Sequence, residues 1–92
     1  MELLDTMVFN GKNWNIYIDR RAKKSYTDPS VNEIVVKDEL DLVHEVIHVL
    51  LLGLPMGREE NEFLTRYLEN QVIKLFTENI SLINKAKLFF GR

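Results

Sequence analysis

The residues best suited to do chemistry are two histidines and a glutamate in the run His44-Glu45-Val46-Ile47-His48. Two histidines four positions apart on a helix present their imidazoles on one face, where both can reach a single Zn²⁺ ion. A glutamate beside the first histidine can reach a zinc-bound water and take its proton. The spacing therefore predicts a zinc site with His44 and His48 as ligands and Glu45 as the general base.

The composition around this HExxH motif supports a metal site. The chain has no other histidine and no cysteine, so a thiolate site is excluded. Between residues 40 and 52 the polar side chains are Asp41, His44, Glu45 and His48, which fall on one stripe of a helix. Lysine and arginine, which are common on solvated stripes, do not occur there. We expect a largely buried helix with one functional face; a merely solvated stripe is the alternative.

A third ligand is needed, because a catalytic zinc site uses three protein ligands and leaves one position open. With cysteine absent and both histidines used, the third ligand must be a carboxylate, and Glu59, Glu60 and Glu62 lie just downstream. If the next helix folds back antiparallel, Glu62 lies level with His48, and we place it first. The packed face expected for that helix favours Glu59 and then Glu60 instead.

Further residues are candidates for supporting roles. Asp41 lies one turn before His44 on the same stripe, where it can accept a hydrogen bond from the metal-bound imidazole. Tyr26 and Tyr67 are candidate donors to the transition state, together with Arg66. For Tyr67 the alternative role is that of a core aromatic residue.

The first half of the chain carries strand patterns. Strands are predicted over residues 3–9 and 14–18, joined by Asn10-Gly11, a dipeptide that suits a tight hairpin turn because both residues tolerate positive φ. Glu33 to Val36 reads as a short third strand. The intervening Tyr26-Thr27-Asp28-Pro29-Ser30 has the composition of a turn.

The second half carries helical patterns. Asp38 is a plausible N-cap for a first helix that runs to about Leu52, and a second helix begins near Arg58. A weaker third stretch covers residues 80–90. The second helix has a broad apolar stripe that we expect to pack, formed by Phe63, Leu64, Tyr67, Leu68, Val72, Leu75 and Phe76. The sequence thus predicts a single α+β domain over residues 1–92, with a small antiparallel sheet packed on the HExxH helix and a following glutamate helix.

In this order of elements the chain resembles the zincin metallopeptidases, and within them the gluzincins, in which a glutamate on the next helix completes HExxH. The run Glu62-Phe63-Leu64-Thr65-Arg66-Tyr67-Leu68 resembles that glutamate helix. The layout as a whole is similar to small proteins of phages and prophages. The resemblance implies a minimal zincin-like domain that holds zinc and cleaves peptides. It also implies that an edge strand, for which Glu33 to Val36 is the candidate, aligns the substrate backbone.

Composition limits the partners. The net charge of −2 argues against a nucleic-acid partner, and the longest uncharged run, residues 46–57, is too short to span a bilayer. The N-terminal residues do not form a signal-peptide pattern, so we expect a cytoplasmic protein. The basic run at residues 20–24 and the stretch 80–90, which ends in Leu88-Phe89-Phe90, are candidate contact surfaces, the latter for a homodimer.

Two functions follow from these patterns. The first is a zinc-dependent hydrolase, expected to be a metallopeptidase, that acts on a peptide or protein substrate with Zn-bound water activated by Glu45. The alternative is a non-catalytic protein-interaction module of a phage or mobile element, in which the metal supplies folding energy to a thin core.

Overall fold

A computed structural model describes residues 1–90, with the side chains described as far as residue 86. In chain order the elements are β1 (Glu2–Phe9), β2 (Lys12–Ile18), β3 (Tyr26–Asp28), β4 (Glu33–Val36), a 3₁₀ turn (Glu39–Asp41), α1 (Leu42–Leu51), α2 (Arg58–Glu78) and α3 (Ile80–Phe90). The predicted α+β class is confirmed. The HExxH motif lies in α1, and the glutamate-rich segment that follows it begins α2.

The sheet has the strand order β1-β2-β4-β3. The β1–β2 hairpin turns at Asn10 and Gly11, whose φ angles of 50° and 74° confirm the prediction for this dipeptide. The sheet is mixed, not wholly antiparallel, because β2 and β4 pair in parallel while β3 and β4 pair antiparallel. After β2 the chain forms β3 at the outer edge of the sheet. Strand β4 then lies between β2 and β3 and runs parallel to β2.

Strand β3 was not expected, because its residues have turn composition. Tyr26 pairs with Val35, and Asp28 pairs with Glu33. The turn begins only at Asp28, whose carboxylate accepts a hydrogen bond from the backbone N–H of Ser30 at 3.1 Å. Strand β4 is therefore internal, and the expectation that Glu33 to Val36 forms the edge strand is wrong. Pairing with β3 covers that side of β4, and the edge belongs to β3.

The core lies between one face of the sheet and α1. Its buried members are Trp14, Ile16 and Ile18 of β2, Ile34 and Val36 of β4, and Val49 of α1. Alternation along a strand places these side chains on one face. Thr27 lies opposite Ile34 in the ladder, so the threonine side chain points from β3 toward the same helix.

Helix α1 begins and ends close to its predicted limits. The side chain of Asp38 accepts a hydrogen bond from the N–H of Leu40 at 2.8 Å, which caps the 3₁₀ turn that leads into the helix. Glu45, Ile47, Val49 and Leu51 are buried. The polar stripe of α1, rather than facing solvent, faces α2.

Helix α2 presents a face that differs in part from the one expected. Its only buried side chain is Thr65, whereas Phe63 is 75% exposed and Tyr67 is 55% exposed. The predicted apolar stripe therefore packs only in part, because Leu64, Leu68 and Val72 are half-buried while Phe63 and Tyr67 are exposed. Because α1 offers imidazoles and a carboxylate along the contact, α2 turns its own polar side chains toward them.

The described part of the chain contains no helix with both the length and the apolar character needed to cross a membrane. The side chains of Leu88, Phe89 and Phe90, which the sequence suggests as a dimer contact, lie outside the described residues.

Candidate metal centre

Three side chains from α1 and α2 converge at one point. His44 and His48 are one turn apart on α1, and their Nε2 atoms are 3.2 Å apart. Glu62, in the second turn of α2, places Oε1 3.1 Å from Nε2 of His44 and Oε2 3.1 Å from Nε2 of His48. This cluster of His44, His48 and Glu62 has the composition and spacing of a metal site.

The spacing of these atoms suits zinc in particular. In a tetrahedral site with bonds of about 2.0–2.1 Å, neighbouring ligand atoms are about 3.3 Å apart. The two Nε2 atoms are 3.2 Å apart, and each lies 3.1 Å from a different oxygen of Glu62, so these separations are close to that edge length. Two imidazole nitrogens and a carboxylate oxygen are also ligands that zinc accepts readily. The three residues therefore fit a zinc ion in ligand type and in approximate spacing.

The outer nitrogen of each imidazole is occupied by a hydrogen-bond acceptor. Nδ1 of His44 lies 2.7 Å from a carboxylate oxygen of Glu69, and Nδ1 of His48 lies 2.5 Å from Oδ1 of Asn61, with Thr65 Oγ1 at 3.2 Å. Since these partners accept, each Nδ1 carries the proton and donates it. The Nε2 lone pairs are thereby directed at the centre of the cluster, as in metal-bound histidines.

The electrostatics of the cluster favour a positive charge at its centre. With both imidazoles in this tautomer, two nitrogen lone pairs and a carboxylate face one another at about hydrogen-bond distance, and a proton or a metal cation relieves the repulsion. Burial acts to lower the pKa of His44, but the hydrogen bond to Glu69 and the nearby charges of Glu45 and Glu62 outweigh it and raise that pKa. Positive charge on His44 is thus stabilised even without a metal.

Glu62 is held in its charged form. Burial acts to raise the pKa of Glu62, but the hydrogen bond from Arg66 Nε at 3.2 Å and the two imidazoles outweigh burial, so the pKa is lowered. A carboxylate that stays ionised is the form that binds a metal cation.

Glu45 is placed differently from Glu62, although both are carboxylates at the same centre. Its side chain is buried, with the residue only 5% exposed, and Thr27 Oγ1 donates to Oε1 at 3.0 Å. The other oxygen, Oε2, lies 3.9 Å from Nε2 of His44, beside the ligand atoms. Burial raises the pKa of Glu45, against the lowering effects of the Thr27 hydrogen bond and of both imidazoles. A buried carboxyl with a raised pKa, one oxygen fixed and one turned to the site, is suited to proton transfer.

Of the three carboxylates proposed as the third ligand, Glu62 is the one that the structure brings to the histidines. Glu59 and Glu60 are exposed in the first turn of α2. The argument from helix level therefore describes the geometry better than the argument from the apolar face, which counted the exposed Phe63 and Tyr67 as packed residues.

Of three residues predicted to have supporting roles, one lies beside the site and the other two do not take the predicted positions. Asp41 is not the hydrogen-bond partner of His44: its carboxylate accepts from Ser25 Oγ at 2.6 Å, and Nδ1 of His44 bonds to Glu69 instead. Tyr26 lines the cleft beside the site. Tyr67 is exposed and does not line that cleft.

Sequence reasoning missed four residues that hold the site: Thr27, Asn61, Thr65 and Glu69. Three of them carried a signal, because Asn61, Thr65 and Glu69 recur at helical spacing and form a polar stripe on α2. That stripe matches the polar stripe on α1, and two such stripes pack when they enclose a common ligand. Thr27 carried no signal, because its contact depends on β3 lying beside α1.

The site is bordered by two cavities. The larger, of about 460 Å³, lies between β3 and the connection from α1 to α2 and reaches Glu45, His48 and Glu62. The smaller, of about 260 Å³, lies on the side of His44 and Glu69. A substrate can therefore approach the oxygen atoms of Glu45 and Glu62 from the outside of the protein.

Comparisons of the chain with protein-family models, characterised proteins and solved structures find no match. What the site can do is therefore derived from its own geometry.

Proposed function

We propose that the protein is a zinc-dependent hydrolase that cleaves peptide bonds, with His44, His48 and Glu62 as zinc ligands and Glu45 as the general base. The observation that carries this proposal is the placement of two different carboxylates at one pair of imidazoles. Glu62 bridges both Nε2 atoms at 3.1 Å, whereas Glu45 stands back from them at 3.9 Å and is hydrogen-bonded by Thr27.

This difference separates the two roles. A purely structural zinc site is closed by four protein ligands, whereas a catalytic site has three and an open position. The described residues supply three ligand atoms at this point. Glu45 then serves as a general base beside the open position. Its raised pKa makes it a better proton acceptor than an ordinary carboxylate.

Zinc bound at such a site lowers the pKa of a coordinated water to about 7. The chain supplies the remaining functions. Glu45 accepts a proton through Oε2 while Thr27 keeps Oε1 in place, and it returns that proton to the leaving amine. Tyr26, the tyrosine on the wall of the cleft, is the candidate donor to a developing oxyanion.

A peptide substrate is favoured by the edge strand next to the site. Tyr26–Asp28 is the outer strand of the sheet, its inner side pairs with β4, and Thr27 within it contacts Glu45. An extended peptide can add to such an edge through main-chain hydrogen bonds. The peptide bond would then pass in front of Glu45.

The test is Glu45→Gln in zinc-loaded protein. Gln keeps the shape of the side chain and can still accept from Thr27, but it cannot take a proton at neutral pH. We expect zinc content equal to that of the wild type and loss of peptide hydrolysis by at least about 100-fold. Glu39→Gln, an exposed carboxylate on the turn before α1, is the matched control and should keep full activity. Hydrolysis that survives Glu45→Gln would rule out the proposed base.

A second candidate function, a metal-stabilised interaction module, is favoured by the exposed apolar side chains of α2 and α3. Phe63, Phe76, Ile80 and Leu82 are each at least 49% exposed. Large exposed apolar side chains on neighbouring helices are compatible with a contact site. If this surface joins two copies of the chain, sedimentation should show a dimer that Phe76→Glu dissociates; a monomer at all concentrations would remove the homodimer from consideration.

A further inference from the structure

The larger cavity beside the metal centre has walls of mixed character. It is lined on the β3 side by Lys24, Tyr26 and Pro29 and on the helical side by Leu52, Met56 and Arg58. Its volume of about 460 Å³ is within the usual range for small-ligand sites, about 300–1,000 Å³. Such a space accepts two or three side chains of an extended peptide, so its walls help to determine which peptide is bound.

Two cations stand on opposite walls of this cleft. Lys24 lies in the loop before β3, and Arg58 is the first residue of α2. Both are exposed, and neither forms an ion pair with any side chain that the structure describes. By contrast, Arg20 is paired with Glu39 and Arg66 is paired with Glu62.

With zinc bound, the metal centre at the floor of the cleft does not neutralise the positive charges of Lys24 and Arg58. Glu45 and Glu62 are the acidic residues among those that line the cleft. Together they balance the charge of one Zn²⁺ ion, so Lys24 and Arg58 are the charged residues of the lining that remain.

The smaller cavity on the other side of the centre has the opposite character. Asp41 and Glu69 line it in addition to the two carboxylates of the centre, and Arg66 is its one cation. An anionic group on a substrate is therefore repelled from that side and attracted to the larger cleft. The lining of the larger cavity is therefore more positive than that of the smaller cavity on the other side of the site.

We infer that the cleft selects peptides that carry a carboxylate, with an apolar side chain next to it, on the side of the scissile bond that occupies the larger cavity. The carboxylate lies between Lys24 and Arg58, and the apolar side chain packs against Leu52 and Met56. The source of the carboxylate is an acidic side chain or the C-terminus of a short peptide. This inference rests on the proposed peptidase function, since it takes the cleft to be the substrate site.

The test measures binding separately from cleavage. Zinc-loaded Glu45→Gln protein is titrated against two pools of fluorescently labelled, C-terminally amidated random octapeptides, one containing Asp and Glu without Lys or Arg, the other the reverse. Binding is followed by fluorescence anisotropy. We expect the acidic pool to bind about five- to tenfold more tightly, as two exposed charge pairs allow, with the preference falling as salt is added.

Charge reversals identify the residues responsible. Glu45→Gln removes one negative charge from the loaded centre, so the part of the preference that counts is the part that depends on Lys24 and Arg58. Adding Lys24→Glu or Arg58→Glu to the Glu45→Gln protein should remove that part. Lys23→Glu makes the same change one residue away, outside the cleft lining, and should preserve it. Neutral octapeptides with a free C-terminus, compared with the same peptides amidated, show whether the terminal carboxylate alone is sufficient.

The outcomes separate this inference from the proposed function. A preference that depends on Lys24 and Arg58, with no cleavage by the wild-type protein, would support the cleft as an acidic-peptide binding site and would remove the hydrolase, together with the assignment of a scissile bond. Cleavage by the wild type, with equal binding of both pools, would keep the hydrolase and overturn the inference. Equal loss of preference in Lys23→Glu and Lys24→Glu would also overturn it, because the effect would then be one of general charge.

Discussion

Replacement of Glu69 should weaken zinc binding although Glu69 is not a ligand. Its carboxylate accepts from Nδ1 of His44 at 2.7 Å, and its side chain is 22% exposed, so the pair is only partly screened by solvent. Loss of such an outer partner of a metal-bound histidine costs about 10–100-fold in affinity, or about 1.4–2.7 kcal/mol. Glu69→Gln keeps an acceptor but loses the charge, so we expect about tenfold. Glu69→Ala loses both, and we expect nearer 100-fold.

The assay is competition for Zn²⁺ against a chromophoric chelator at constant pH and ionic strength. Glu59→Gln is the matched control, because it removes an exposed carboxylate from the first turn of the same helix and changes the net charge by the same amount. It should bind zinc as the wild type does. If Glu69→Ala binds within about twofold of Glu59→Gln, the role assigned to the His44–Glu69 hydrogen bond is wrong.

Three further predictions follow from the same geometry. Thr27→Val should leave zinc affinity unchanged but lower kcat by about tenfold, since it frees the oxygen of Glu45 that the threonine holds, and parallel zinc titration and peptide hydrolysis would show this. The pKa of His44 is raised in the folded apoprotein, so its charged form stabilises that state below its unfolded pKa of about 6.5, and this contribution is lost as pH rises through the folded pKa. Tm of the apoprotein should therefore fall as pH rises above about 6.5, while the increase in Tm caused by zinc grows. Zinc at 100 times its dissociation constant should stabilise the protein by about 2.7 kcal/mol and raise Tm by about 10–20 °C, whereas no increase in Tm would contradict a site formed only in the folded state.

The parts of the fold that depend on local sequence were predictable. The Asn10-Gly11 turn follows from the conformations that these two residues tolerate, and Asp38 as a cap follows from its short acceptor side chain. The polar stripe of α1 could be recognised in the sequence because polar residues recur there at helical spacing among Leu, Val and Ile. In each case the controlling interactions lie within one turn or one hairpin.

The parts that depend on partners distant in sequence were not predictable. Tyr26–Asp28 becomes a strand only because β4 offers a free edge, and its turn-like composition gives no sign of this. The position of α2 that is fully buried is the polar Thr65, which lies beside the half-buried Leu64 and Leu68, so hydrophobic periodicity located the buried face only in part. Glu69 was not predicted as a site residue for that reason, although it lies two helical turns after Glu62.

The most direct test of the account is the zinc content of the purified protein, measured by elemental analysis beside three variants. The wild type should hold one zinc per chain, His44→Ala/His48→Ala should hold none, and Glu62→Ala should retain far less than the exposed-residue control Glu60→Ala. Absence of zinc from the wild type after incubation with Zn²⁺, or equal zinc in Glu62→Ala and Glu60→Ala, would contradict the assignment of His44, His48 and Glu62 as the ligands.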